Sequence, residues 1–214
     1  MPRSFLSRVW TAVKPPPPLP ARRRLNRDQR RLIRVTSIAL ALGASAWGIY
    51  AYIASAPDRA LNHFMSGQFT QAIEIDPNFA EAYRARGDAS QLAGHSEAAL
   101  ADFAKAISID PSEWLAYLSR GTLWNSRGDS QRALADFTQS IRLHPSAKAY
   151  YQRGLTYQTL GETARAVNDY DAAIDRDPGA PYVYRARAKA RLETGDVEGA
   201  REDQEKAELV EQTQ

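Results

Sequence analysis

Catalysis and metal binding need particular side chains at particular spacings, and this chain offers few of them. It holds no cysteine, so disulfides, thiolate nucleophiles and Cys-based metal centres are excluded. His63, His95 and His144 lie far apart with no second donor at ligand spacing, and no metal is expected. No phosphate-cradling glycine loop, nucleophile elbow or zinc-binding helix motif occurs, so no cofactor is expected either. Asp102, Asp136 and Asp169 each stand one residue before an aromatic, Phe103, Phe137 and Tyr170. Their regular recurrence points to a repeated surface position, not to a pair of catalytic carboxylates. The chain reads as a binding protein that is not an enzyme.

Charge says what it does not bind. The net charge is +3, but the sign changes along the chain: residues 1–56 carry ten basic residues and one acid, while residues 57–214 carry 18 basic and 24 acidic residues. A basic tail is joined to an acidic body, and the body has no reason to seek nucleic acid.

The tail has four parts. Within residues 1–14, Phe5, Leu6, Val9, Trp10 and Val13 form one helical stripe opposite Arg3, Arg8 and Lys14, the pattern of a short interfacial amphipathic helix; a structureless tail is the competing reading. Residues 15–34 join a Pro15–Pro20 polyproline spacer to a segment with seven arginines. Residues 35–56 then run for 22 positions without a charge. As a helix they would reach about 33 Å, enough for a hydrocarbon core of about 30 Å. A single transmembrane helix is therefore expected, with the arginines on the cytoplasmic side and everything after Pro57 on the opposite face. A bacterial inner membrane with a periplasmic body is the expected location. A mitochondrial inner membrane is the alternative, because residues 1–27 are rich in arginine and free of acids. Ala54-Ser55-Ala56 matches a signal-peptidase site, but the length of the apolar run, the long preceding tail and Pro57 after the bond favour an uncleaved anchor.

Beyond Pro57 the chain repeats. Gly94, Gly128, Gly161 and Gly195 recur at spacings of 34, 33 and 34, and Gly87, Gly121 and Gly154 at 34 and 33. Pro77, Pro111, Pro145 and Pro178 follow the same rhythm. Each unit reads as two helices: the first closes at a left-handed glycine such as Gly94, and the second ends at an Asp-Pro step such as Asp110-Pro111. A glycine inside the first helix costs about 1 kcal/mol relative to alanine, so Gly87 and its counterparts are expected to let a neighbour approach closely.

The recurring set Tyr83, Tyr117, Tyr150 and Tyr184, then Gly87, Gly121 and Gly154, then Ala99, Ala133, Ala166 and Ala200, then Phe103, Phe137 and Tyr170 resembles the tetratricopeptide repeat (TPR) family. The resemblance covers residues 80–214 as four repeats and implies an all-α solenoid, here preceded by one transmembrane helix. The fourth unit departs with Ala188 and Gln204, as a solvent-facing terminal cap would. Residues 57–79 read as a degenerate leading repeat of half size, since Gly67 stands 10 residues before its proline where the others stand 17.

What the resemblance implies for binding is a concave surface lined by the first helix of each repeat. The matching positions give a candidate partner groove of Arg84, Asp88, Gln91, Leu118, Thr122, Asn125, Tyr151, Gln158, Tyr182 and Arg185, with Glu81, Leu115, Lys148, Leu155 and Lys189 beside them. This mixture suits an extended peptide or a partner helix. The expected function is that of a membrane-anchored scaffold that binds partner proteins on the non-cytoplasmic face. The alternative is an accessory subunit packed into a larger membrane complex.

Overall fold

The computed structural model describes residues 55–213. The expected interfacial helix, spacer and arginine segment lie outside the described residues, as does the expected span except for Ser55 and Ala56. Ala56 opens the first described helix, and no helix among the described residues is long and apolar enough to cross a membrane.

The described residues hold ten helices and no strand. These are α1 (Ala56–Met65), α2 (Phe69–Ile75), α3 (Ala80–Leu92), α4 (Ser96–Ile109), α5 (Trp114–Ser126), α6 (Ser130–Leu143), α7 (Ala147–Thr159), α8 (Thr163–Arg176), α9 (Pro181–Glu193) and α10 (Val197–Gln212). They pair as antiparallel hairpins, α3 with α4 through α9 with α10, each stacked on the next. The first helices α3, α5, α7 and α9 also touch one another from repeat to repeat. They therefore form the inner layer, with α4, α6, α8 and α10 outside.

Local chemistry sets the boundaries. The hairpin turns need one residue at positive φ, and Gly94, Gly128, Gly161 and Gly195 supply it at 76° to 86° without the steric cost a Cβ would bring. Asp129, Ser146 and Asp196 cap the helices that follow by accepting the backbone N–H of Arg132, Ala149 and Gly199. At the junctions between repeats, Asp110 Oδ1 accepts the Ser112 N–H at 2.9 Å, and Asp76 and Asp177 bind Asn78 and Gly179 in the same way. The Ser112 hydroxyl also donates to Asp110 and, with the backbone bond, holds its carboxyl below the ordinary range. The remaining junction has His144 in place of aspartate. Its ring lies 4.3 Å from that of Trp114 instead.

The glycines inside the first helices are packing positions. A Cβ on Gly87 would come 2.7 Å from the Phe103 ring, one on Gly121 2.8 Å from Phe137, and one on Gly154 2.7 Å from Tyr170. All three rings are fully buried. In the fourth repeat Ala188 occupies the glycine position, and Gln204, in the ring's place, is exposed. The methyl group fits where no ring competes for the space.

The leading hairpin is short on its second side: α2 has 7 residues where α4, α6 and α8 have 14. Phe64 joins it to the array, with its ring 5.7 Å from Phe69 and 5.1 Å from Phe79, beside buried Ala72, Ile73 and Ala82.

Candidate partner-binding groove

The inner faces of α3, α5, α7 and α9 place the candidate residues in register, but the residues differ in what they can offer. Arg84 is only 19% exposed at its side chain. It binds Asp88 at 2.8 Å and reaches Glu113 of the next repeat at 3.4 Å. Burial pushes the Glu113 carboxyl above its ordinary range, with Glu81 and Asp110 nearby adding to the rise and Arg84 opposing it. Arg84 is thus already paired, and the acids around it outnumber it.

In the middle, Thr122 donates its hydroxyl to the Leu118 carbonyl one turn back, and Asn125 is half-buried. Leu118 corrects the expected groove. It is 4% exposed and packs among Ala133, Phe137, Ile141 and Ala149, under Trp114, Leu115, Trp124 and Tyr150. A side chain this enclosed belongs to the core, not to a binding surface.

The α7–α9 end is aromatic. The Tyr151 and Tyr182 rings meet edge to face at 4.8 Å, and Tyr151 also lies 6.1 Å from Tyr170. Tyr182 keeps 43% of its surface exposed. Burial raises both Tyr151 and Tyr182 phenols above the ordinary range, so both are neutral at physiological pH. Gln158 is fixed at both ends of its amide: Nε2 donates to Glu193 at 2.7 Å and Oε1 accepts the Tyr170 hydroxyl at 3.0 Å. Arg185 binds Glu211 of α10. Gln91 is half-buried on α3.

The recurring aspartates are not surface positions. Asp102, Asp136 and Asp169 are 8%, 6% and 5% exposed, and each takes a forked pair of 2.8 Å bonds from an arginine on the facing helix: Arg86, Arg120 and Arg153. Arg187 binds Asp203 in the same way and adds Asp171 of the preceding repeat at 2.6 Å. The hydrogen bonds to aspartate hold Arg86, Arg120 and Arg153 more firmly protonated than usual, against the opposing effect of burial. Each guanidinium also lies over the tyrosine three residues before it, 5.5 Å to 5.8 Å from the ring centre. The signal was present in the sequence: arginine recurs three residues after each repeat tyrosine, and aspartate 16 residues after that. A carboxylate committed on both oxygens to a guanidinium is a tie between helices and no general acid or base.

Helical hairpins of this period, a glycine-on-aromatic contact in each of three and an inner layer of first helices define a helical-repeat solenoid. Tetratricopeptide repeat models match residues 93–148, 151–213 and 68–101, and the chain belongs to the tetratricopeptide repeat family. Among solved structures, MamA is similar at 25% identity and a TM-score of 0.63 over 72% of this chain and 95% of that one. A MamA from Desulfovibrio magneticus RS-1, spanning residue 41 to its end, shares the fold at 19% identity and a TM-score of 0.63, covering 76% of this chain and 97% of its own. YrrB, described as a TPR protein with an unusual peptide-binding site, shares it at 21% identity and a TM-score of 0.57, covering 74% and 84%. No curated protein matches the chain.

Proposed function

We propose that this protein is a non-enzymatic scaffold that holds a partner protein in its inner groove, and that residues 35–56 anchor it in a membrane with the repeats on the non-cytoplasmic face. The observation that carries the binding reading is the Tyr151–Tyr182 pair. It sits on the inner layer, and Tyr182 leaves 43% of its surface to solvent while Val183 and Tyr184 beside it on α9 are buried. An exposed aromatic on a rigid inner face is an anchor point for a partner segment. The fold that YrrB shares supports the reading at the level of architecture. The anchor reading is supported by the 22 uncharged residues and the seven arginines before them. A bacterial inner membrane with periplasmic repeats fits that arrangement, as does a mitochondrial inner membrane with the same topology.

Crosslinking of the full chain in its native membranes, followed by mass spectrometry, tests the groove. A partner recovered with the parent chain is expected to be lost when Tyr182→Ser and Tyr151→Asp are combined. Undiminished recovery would reject the groove and leave the accessory-subunit reading, in which contacts come from residues 1–56. Alkaline phosphatase fused after Pro77 is expected to be active, and an inactive fusion would reverse the orientation.

A further inference from the structure

We propose that α1 lies along the membrane surface with its Leu61–Met65 edge in the boundary between lipid headgroups and hydrocarbon. This rests on the anchor reading above and adds a second contact with lipid, made by the repeat body itself.

The sequence of α1 gives it three edges. Ala60 is buried and Phe64, four residues on, packs against Phe69 and Phe79, so this pair forms the edge held by the array. Asp58 and Asn62 are exposed and polar. Between the two run Pro57, Leu61 and Met65, spaced by four and therefore on one side of the helix. All three are exposed, Leu61 at 48% and Met65 at 75%. An exposed leucine at this register is particular to the leading hairpin. Leu61 stands six residues before the turn glycine Gly67, and the residues six before Gly94, Gly128 and Gly195 are Asp88, Thr122 and Lys189. Leu155, six before Gly161, packs against the core.

What covers this edge follows from where it stands in the chain. α1 opens at Ala56, the residue that closes the 22 uncharged positions of 35–56. Leu61 and Met65 come five and nine residues later. As helix that is about 7.5 Å and about 13.5 Å. The headgroup region adds roughly 5–7 Å to each side of the hydrocarbon core, and interfacial helices seat their apolar side about 5–10 Å into its boundary. A helix standing upright would lift Met65 clear of that layer, whereas one lying along the surface keeps both side chains in it. Two side chains are far too little for a separate protein interface, which takes about 800 Å² from each partner. Lipid needs no such area, because the anchor holds the edge beside the bilayer at high effective concentration. The edge carries no charge, so the contact is with the apolar boundary and not with anionic headgroups.

The test exploits the absence of cysteine, which lets one introduced thiol carry one label. Leu61→Cys, Met65→Cys, Asn62→Cys and Leu209→Cys, each in the full chain, are labelled with an environment-sensitive fluorophore and reconstituted in phosphatidylcholine vesicles with and without doxyl-labelled lipid. Labels at 61 and 65 are expected to shift to the blue and to lose fluorescence to the doxyl lipid. Labels at 62, on the polar edge, and at 209, in the last helix, should do neither. Quenching should persist in high salt and be unchanged by added phosphatidylglycerol. All four positions are exposed, so unchanged helicity and melting are expected and show that the variants fold.

The parent chain is expected to resist extraction with alkaline carbonate. Release would remove the anchor reading and this contact with it. Retention, with labels at 61 and 65 quenched no more than those at 62 and 209, would keep the anchor and overturn the contact alone. A blue shift without quenching would overturn it in favour of a protein cover, either a second copy or the partner in the groove. Quenching that needs phosphatidylglycerol and fades in salt would replace the apolar contact with an electrostatic one.

Discussion

At the residue scale, the first helix of each repeat gives up helical stability so that an aromatic ring can be buried. Gly121 leaves room for Phe137, whose ring would stand 2.8 Å from an added Cβ, and the Asp136 side chain is next at 3.2 Å. Intrinsic propensity favours alanine in a helix by about 1 kcal/mol, but the neighbouring ring is 0% exposed and has nowhere to go. Overpacking of that kind costs about 1–3 kcal/mol, so it outweighs the propensity gain. Gly121→Ala is therefore expected to lower stability, by up to about 2 kcal/mol in urea melts. Adding Phe137→Leu should give a favourable coupling in the double-mutant cycle, because the smaller side chain vacates the contested volume. A Gly121→Ala variant that melted later than the parent would show that the ring moves aside freely. The fourth repeat already carries the compensated form, with Ala188 buried and Gln204 turned to solvent.

At the scale of elements, the two helices of each hairpin are tied together by the buried arginine–aspartate pairs, and the ties differ along the array. Side-chain exposure falls from 33% and 12% for Arg86 and Asp102 to 18% and 7% for Arg153 and Asp169. Removing one partner of a fully buried pair costs about 3–5 kcal/mol, and solvent that still reaches the arginine reduces this. Asp102→Ala is expected to cost less than Asp169→Ala, with both below the fully buried figure, when chemical melts of the two variants are compared. Equal costs would mean that burial does not set the strength of the ties. These pairs also mark where sequence reading stopped. Period, hairpins and the packing role of the helix glycines were legible because each repeats at a fixed spacing, whereas the rings that fill the space over those glycines came only with the structure. The direction of Asp136 was not, because the acid before an aromatic looks the same whether it faces water or a guanidinium on the facing helix. Leu118 failed for a related reason: its helix face was legible, but the Trp114, Leu115, Trp124 and Tyr150 side chains that enclose it were not. The Tyr151 and Tyr182 rings, on two different first helices, meet at 4.8 Å, a contact that spacing within either helix does not reveal.

At the scale of the whole array, a stack of repeats has to stop, and α10 shows how. The outer-helix position filled by Leu100, Leu134 and Val167 becomes Arg201, and the position filled by Ile107, Ile141 and Ile174 becomes Glu208. Val167 and Ile174 pack against the core under α9, whereas Arg201 and Glu208 are exposed. Arg201 is bridged to Glu198 and Glu205 on its own helix. These two substitutions convert a face built to receive another hairpin into one that faces water, as a terminal repeat requires. Restoring the internal pattern with Arg201→Leu and Glu208→Ile should recreate an apolar receiving face with no hairpin to cover it. Such a face can pair with the same face of a second copy or with another exposed apolar surface, so association between copies is expected. Light scattering of the double variant is expected to show concentration-dependent growth beyond the parent's mass, with helicity unchanged. A variant that kept the parent's mass at all concentrations would show that the polarity of α10 is incidental and that the array ends for another reason.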